Sequence, residues 1–212
     1  MTNKLILMGG ISAVGKSEIC KHLESSYNIK NRRLHNYVIN ITKERRIENM
    51  LTMWDELSQE AMRIMLRDLE REKTFTCDIH FAVQTQFDTM YALRRDIVED
   101  INEPYTKGIE GDFLKVFGLY ELSLYMLLIH TIPEEILMRR IRDSEKGIKK
   151  PRSLSPESIR KEDFYETKYF HEIAESLAKY THPNVHVINN INDRFDRTIE
   201  QIVSICGLGD KQ

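Results

Sequence analysis

Two hydrophobic periodicities alternate along the chain. A short strand is predicted at 4–8, where the apolar run Leu5 to Met8 follows Lys4 and is closed by Gly9 and Gly10. Residues 16–26 then place Ile19, Cys20 and Leu23 on one helical face. Residues 37–41 predict a second strand. A longer helix is predicted over 55–72, where Leu57, Ala61, Ile64, Met65 and Leu69 keep a helical period, and 73–78 reads as a strand ending in Asp78. A strand at 124–129, inside the apolar stretch 122–130, leads to a helix over 131–142. Thr131, Pro133 and Glu134 predict its capped start. Ser155 and Pro156 open a helix running to about residue 180, 185–188 reads as the last strand, and Phe195, Ile199, Ile202 and Val203 mark a closing helix. Strands alternating with longer helices predict an α/β fold with a central parallel sheet of about five strands, covered on both faces.

Two stretches break the pattern. Helical signals around 87–101 are interrupted by Asn102, Pro104 and Gly108, so 81–121 is expected to be an insertion covering the acceptor. Residues 143–156 are polar and basic, contain Gly147 and Pro151, and are expected to form an exposed lid loop. The chain, 1–212, is read as one domain carrying these two features.

Composition narrows the partners. With 41% hydrophobic and 30% charged residues and a formal charge of −2, the chain is not broadly basic, which disfavours nucleic acid as partner. No run of eighteen apolar residues predicts a membrane span, and the run at 5–8 is too short for a signal peptide. Cys20, Cys77 and Cys206 are far apart with no CxxC pair, which predicts reduced, buried thiols in a cytoplasmic protein and argues against zinc. A homodimer is left open.

The chemistry enters with Gly10-Ile11-Ser12-Ala13-Val14-Gly15-Lys16-Ser17, a full GxxxxGKS phosphate loop between a strand and a helix. Its backbone amides and the following helix N-terminus suit phosphate charge. Lys16 is expected to reach the β and γ phosphates, and Ser17 to ligate Mg²⁺. The expected nucleotide-binding set is Gly10, Ser12, Ala13, Val14, Gly15, Lys16, Ser17 and Glu18, with ATP and Mg²⁺ as cofactors. The predicted fold is therefore the three-layer P-loop nucleoside triphosphate hydrolase type.

Asp78 closes a strand whose C-terminal edge faces the expected ligand crevice, where its carboxylate would hold Mg²⁺ or orient the attacking oxygen. His80, two residues on, is read either as an acceptor contact or as a structural histidine. Arg139, Arg140, Arg142, Lys146, Lys149, Lys150 and Arg152 form a basic run suited to closing over transferring phosphate, or else a solvated face in which Arg139 pairs with Glu135 one turn earlier. Arg32, Arg33, Arg45 and Arg46 are candidates for an acceptor's phosphate, whereas Gln84, Gln86 and Tyr91 would suit an uncharged acceptor.

The order of these motifs resembles the adenylate kinase family, the archaeal type most of all, and related small P-loop nucleoside and nucleotide kinases. Asp78-Ile79-His80 is similar to an Asp-Thr-His segment at the end of the third strand of that type, and 132–152 to its helix and lid. The resemblance implies catalytic roles for Lys16, Asp78, Arg139, Arg142 and Arg152. Val187-Ile188-Asn189-Asn190 is similar to the last strand and adenine-side loop, which implies a base contact from Asn189. It also implies phosphoryl transfer to a nucleoside monophosphate, with AMP as first candidate. The family's glycine-containing monophosphate segment has no counterpart in Asn40-Ile41-Thr42-Lys43.

Three alternatives remain open on sequence: a kinase of a nucleoside or other small metabolite, a nucleotide-dependent switch, and a kinase acting on a nucleic-acid end. No Asn-Lys-x-Asp guanine-specifying segment is present.

Overall fold

The structure, a computed structural model, describes residues 2–47, 54–84, 105–107, 112–147, 154–191 and 194–209. Five strands form one sheet in the order β2-β3-β1-β6-β7: β1 (Asn3–Gly9), β2 (Lys30–Arg32), β3 (Thr74–Asp78), β6 (Leu122–His130) and β7 (Asn184–Asn189). Every pairing in it is parallel. In central β1 the side chains of Leu5, Ile6, Leu7 and Met8 are all fully buried. A strand buried on both faces is apolar at successive positions, which is why the run at 5–8 was legible.

The period of two then divides the core. Leu5 and Leu7 pack with Met62, Met65, Leu66 and Leu69 of α3 (Trp54–Glu72) and Phe170, Ile173 and Leu177 of α6 (Pro156–Leu177). Ile6 and Met8 face the other way. They join Ile19 and Leu23 of α1 (Lys16–Tyr27), Ile136 of α5 (Pro133–Glu145), and Ile199 and Ile202 of α7 (Phe195–Cys206). Each such side chain contributes roughly 1.5–3 kcal/mol through burial. Helices thus cover both faces of the sheet.

Residues 37–41 are not a strand. They lie inside α2 (Leu34–Glu44), whose Val38 and Ile41 pack with Leu57 and Ala61 of α3. The β-branched cluster suggested extension, but packing of one apolar helical face against α3 overrides that propensity. The second strand is β2 instead, a short polar segment paired only with β3. The capped start at Thr131 is also corrected. Ile132 is the N-cap and makes no side-chain cap bond, while the buried Thr131 hydroxyl donates to Glu135 Oε2 at 3.2 Å. Pro133 does open the helix, and Ser155 does cap α6, its Oγ accepting from the Ser158 amide.

In the 81–121 stretch, β4 (Ala82–Gln84) and β5 (Tyr105–Lys107) form an antiparallel pair. The short α4 (Asp112–Lys115) and the 3-10 turn Val116–Leu119 follow, and bury Leu114, Val116 and Phe117 in the core beside Leu5 and Leu7. That end of the expected insertion is therefore core. The expected lid is shortened at its start, because α5 continues to Glu145. The three cysteines are free and buried, and burial pushes each thiol up to about 12. Among the described residues no helix is long and apolar enough to cross a membrane.

Two ion pairs fasten α6 to its neighbours. Arg140 of α5 is buried and forks onto Glu162, with Nη1 and Nη2 donating at 3.0 and 2.6 Å. His130, at the end of β6, meets Asp163 Oδ2 at 3.1 Å. Removing one partner of a buried pair costs about 3–5 kcal/mol, and Glu162 keeps some exposure, so Arg140→Met should destabilise by about 3 kcal/mol. Arg142→Met, on the exposed side of the same helix, should stay within about 0.5 kcal/mol. Urea unfolding of both variants checks this, and equal midpoints would contradict the distinction.

The hydrogen bond that His130 donates to the Asp163 carboxylate raises its pKa above the ordinary value, against a lowering effect of burial. Protonated His130 therefore stabilises the fold fully below its unfolded pKa, and that contribution is lost as pH rises through the folded pKa. Wild-type stability should fall by about 0.5–1 kcal/mol between roughly pH 6 and pH 8 through this pair. Asp163→Asn should flatten that slope; identical pH profiles for the two proteins would remove the assignment.

Candidate functional site

The segment between β1 and α1 turns through backbone conformations with positive φ at Gly10 (129°), Ala13 (77°) and Gly15 (100°). Two of these positions also lack room for a side chain. A Cβ on Gly10 would strike the Ile129 carbonyl, and one on Gly15 would strike the Asn190 amide. Glycine is thus required at both ends of the turn by conformation and by space.

The carbonyls of the loop are held by side-chain donors. Lys16 Nζ donates to the Gly10 carbonyl and, at 3.4 Å, to that of Ile11. Arg140 Nη2 donates to the Ser12 carbonyl at 3.3 Å, Arg139 Nη1 to that of Ala13 at 3.1 Å, and Asn190 Nδ2 to that of Val14 at 2.6 Å. Across a trans peptide the carbonyl and the following N–H point in opposite directions. With carbonyls 12, 13 and 14 directed at these donors, the amides of Ala13, Val14 and Gly15 point away from them. Arg139 is itself fixed by an ion pair with Glu135.

That cleft has a volume of about 400 Å³ and is lined by residues 11–18 together with Asp78, His80, Arg139, Arg142, Asp143, Asn190 and Phe195. Asp78 stands opposite Met8 in the sheet register, at the C-terminal end of β3. Its Oδ1 is 3.9 Å from Lys16 Nζ and its Oδ2 4.0 Å from Arg33 Nη2. The floor of the site thus holds one carboxylate between two cations, with the Ser17 hydroxyl on the same cleft. Among the described residues no group of three or more His, Cys, Asp or Glu side chains is placed to hold a metal.

Most of the sequence candidates converge here. Ser12, Ala13, Val14, Gly15, Lys16, Ser17, Glu18, Asp78, His80, Arg139 and Arg142 line the one cleft, and Gly10 stands at its back. Glu18 also pairs with Lys21 at 2.9 Å. Asn189 is exposed at the end of β7 and hydrogen-bonds His130; its neighbour Asn190 is the one in the cleft. Arg152, Lys149, Lys150, Gln86 and Tyr91 lie outside the described residues, as does the side chain of Gln84. Of the four proposed acceptor-side cations, Arg32 is paired with Glu72 and Arg45 with Glu60, Arg46 is exposed just past α2, and Arg33 is the one beside Asp78.

Sequence reasoning named Arg140 in the basic run and Asn190 in the last-strand segment but missed their role: both brace the loop as described. It missed Glu166 altogether. Glu166 of α6 is buried, and its carboxylate accepts from the amides of Gly10 (2.8 Å), Phe81 (3.1 Å) and Ala82 (2.7 Å). The signal for Glu166 was available: it occupies the apolar stripe of α6 with Ile159, Phe170, Ile173 and Leu177. A carboxylate at core spacing needs a reason.

No family model and no curated protein matches the chain. Among solved structures it is similar to a sugar kinase from Janibacter sp. HTCC2649, at 12% identity and a TM-score of 0.49, over 99% of this chain and 96% of that one. It is also similar to a candidate kinase from Chloroflexus aurantiacus, at 8% identity and a TM-score of 0.47, over 96% of this chain and 98% of that one. Neither is described as an adenylate kinase, so the resemblance to the archaeal-type adenylate kinases is not upheld. The short segments that carried it, such as Asp78-Ile79-His80, do not identify a family.

Proposed function

We propose that this chain has a P-loop fold and transfers the terminal phosphoryl group of ATP to a small-molecule acceptor. What supports the reading is the loop at 10–17, with carbonyls from Gly10 to Val14 held by side-chain donors and Lys16, Ser17 and Asp78 on one cleft. Inward amides at a helix N-terminus form a concentrated positive surface for phosphate oxygens. Lys16 would leave the Gly10 carbonyl to meet the β and γ phosphates. Arg142, exposed on the same cleft, would meet charge that develops on transfer, whereas Arg139 acts on the loop and positions it.

Ser17 and Asp78 are the residues that would hold Mg²⁺. One hydroxyl and one carboxylate suit an ion that keeps waters and binds through substrate phosphates. When bound, Mg²⁺ neutralises phosphate charge. Asp78 also stands where it can accept the proton of an acceptor hydroxyl as that oxygen bonds to phosphorus and the bond to the β-phosphate oxygen breaks. The acceptor we propose is a nucleoside or another small hydroxyl-bearing metabolite in preference to AMP. Capture of a phosphate by Arg32 or Arg45 would first require breaking their pairs with Glu72 and Glu60.

The test is an ATP-consumption screen over nucleosides, nucleoside monophosphates and small alcohols, with product mass determination. Transfer to an acceptor is expected, and Lys16→Ala should lower it by roughly a hundredfold or more without unfolding the protein. A Lys16→Ala protein with near-normal turnover would exclude the loop as the phosphate site. ATP hydrolysis with no acceptor transfer, stimulated by a protein partner, would replace the kinase with a switch.

A further inference from the structure

Glu166 sits between two segments that the proposed reaction must align. One is the start of the phosphate loop. The other is 79–82, which leaves Asp78 and enters β4. The two are joined in three ways. The Ile79 amide donates to the Met8 carbonyl at 3.0 Å and extends the β1–β3 ladder by one step. The Phe81 ring lies against Gly9 so closely that a Cβ there would overlap it, and its other side meets Phe170 edge-on at 5.1 Å. Glu166 then binds across both segments, with Oε1 shared by the Gly10 and Phe81 amides and Oε2 taken by Ala82.

We propose that Glu166 is a positioning residue that makes the phosphate loop and segment 79–82 one mechanical unit, so that filling the loop with nucleotide sets the acceptor side beside Asp78. The proposal rests on the nucleotide reading of the loop. A carboxylate accepts at both oxygens, which a carboxamide of the same shape cannot do. Its partners are backbone amides of two segments far apart in sequence, and neither segment pairs with the other at those amides. Burial raises the pKa of this carboxyl, against which Lys16 and the three amides favour the ionised form. The groups it aligns thus offset part of the cost of burying the charge.

Amide hydrogen exchange with and without Mg²⁺ and a non-hydrolysable ATP analogue tests this on the wild-type chain. Analogue binding should slow exchange at Phe81 and Ala82 by about tenfold more than at β7 amides such as Val187, which report general stabilisation. Glu166→Gln turns an NH₂ toward a buried N–H; it should bind the analogue about tenfold more weakly and lose the extra slowing. A wild-type chain that binds the analogue while Phe81 and Ala82 follow the β7 amides would overturn the proposal. Unchanged affinity in a folded Glu166→Gln protein would overturn it too. If that variant does not fold, the wild-type exchange pattern decides alone. A wild-type chain that binds no analogue would overturn the nucleotide reading and this proposal together, and the binding isotherm distinguishes that failure from the others.

Discussion

The site depends on satisfying the carbonyls of a tight loop with side-chain donors. A buried carbonyl left unpaired costs roughly 1–3 kcal/mol. Several together would remove much of a domain's stability of about 5–15 kcal/mol. Here residues from α5 and from the end of β7 supply the donors, one to each of Ser12, Ala13 and Val14. Lys16 covers the two carbonyls before them. Peptide planarity then turns the amides of Ala13, Val14 and Gly15 away from those donors.

The same constraint accounts for the charge pattern of α5. Arg139 and Arg140 are successive residues, and each is oriented by a glutamate, Glu135 or Glu162, so that a remaining N–H meets a loop carbonyl. A planar guanidinium can serve a carboxylate and a carbonyl at fixed angles, which a lysine ammonium does less well. Arg142, two residues on, is exposed and lines the cleft. One basic run therefore divides into scaffold and site by helical phase. Glu166 extends the scaffold to the opposite face of the sheet, because α6 packs on Leu5 and Leu7 while its carboxylate reaches Gly10.

Legibility in the sequence followed the locality of the physics. The β1 run and the eight-residue loop were readable because their signals are contiguous and their demands, apolar side chains and special backbone angles, are local. β2 was unreadable, since a three-residue polar edge strand is defined only by pairing with β3. α2 was misread because its helical state is fixed by α3, far along the chain. Asn189, expected beside a nucleotide base, is exposed, and Asn190 lines the cleft instead. At a strand end, one residue separates the exposed Asn189 from the buried Asn190. The braces went unread because a side chain that bonds the loop backbone leaves no mark except a polar residue at an apolar phase, as with Arg140 after Ile136 and Glu166 before Phe170.

The position of Lys16 in a complex tests the central claim most directly. Its ammonium now rests on the carbonyls of Gly10 and Ile11, 3.9 Å from Asp78. A crystal structure with Mg²⁺ and a non-hydrolysable ATP analogue should show Lys16 moved onto the β and γ phosphates, with the amides of Ala13, Val14 and Gly15 on phosphate oxygens and the contacts from Arg139, Arg140 and Asn190 intact. A nucleotide bound elsewhere, with Lys16 still on the Gly10 carbonyl, would contradict the account.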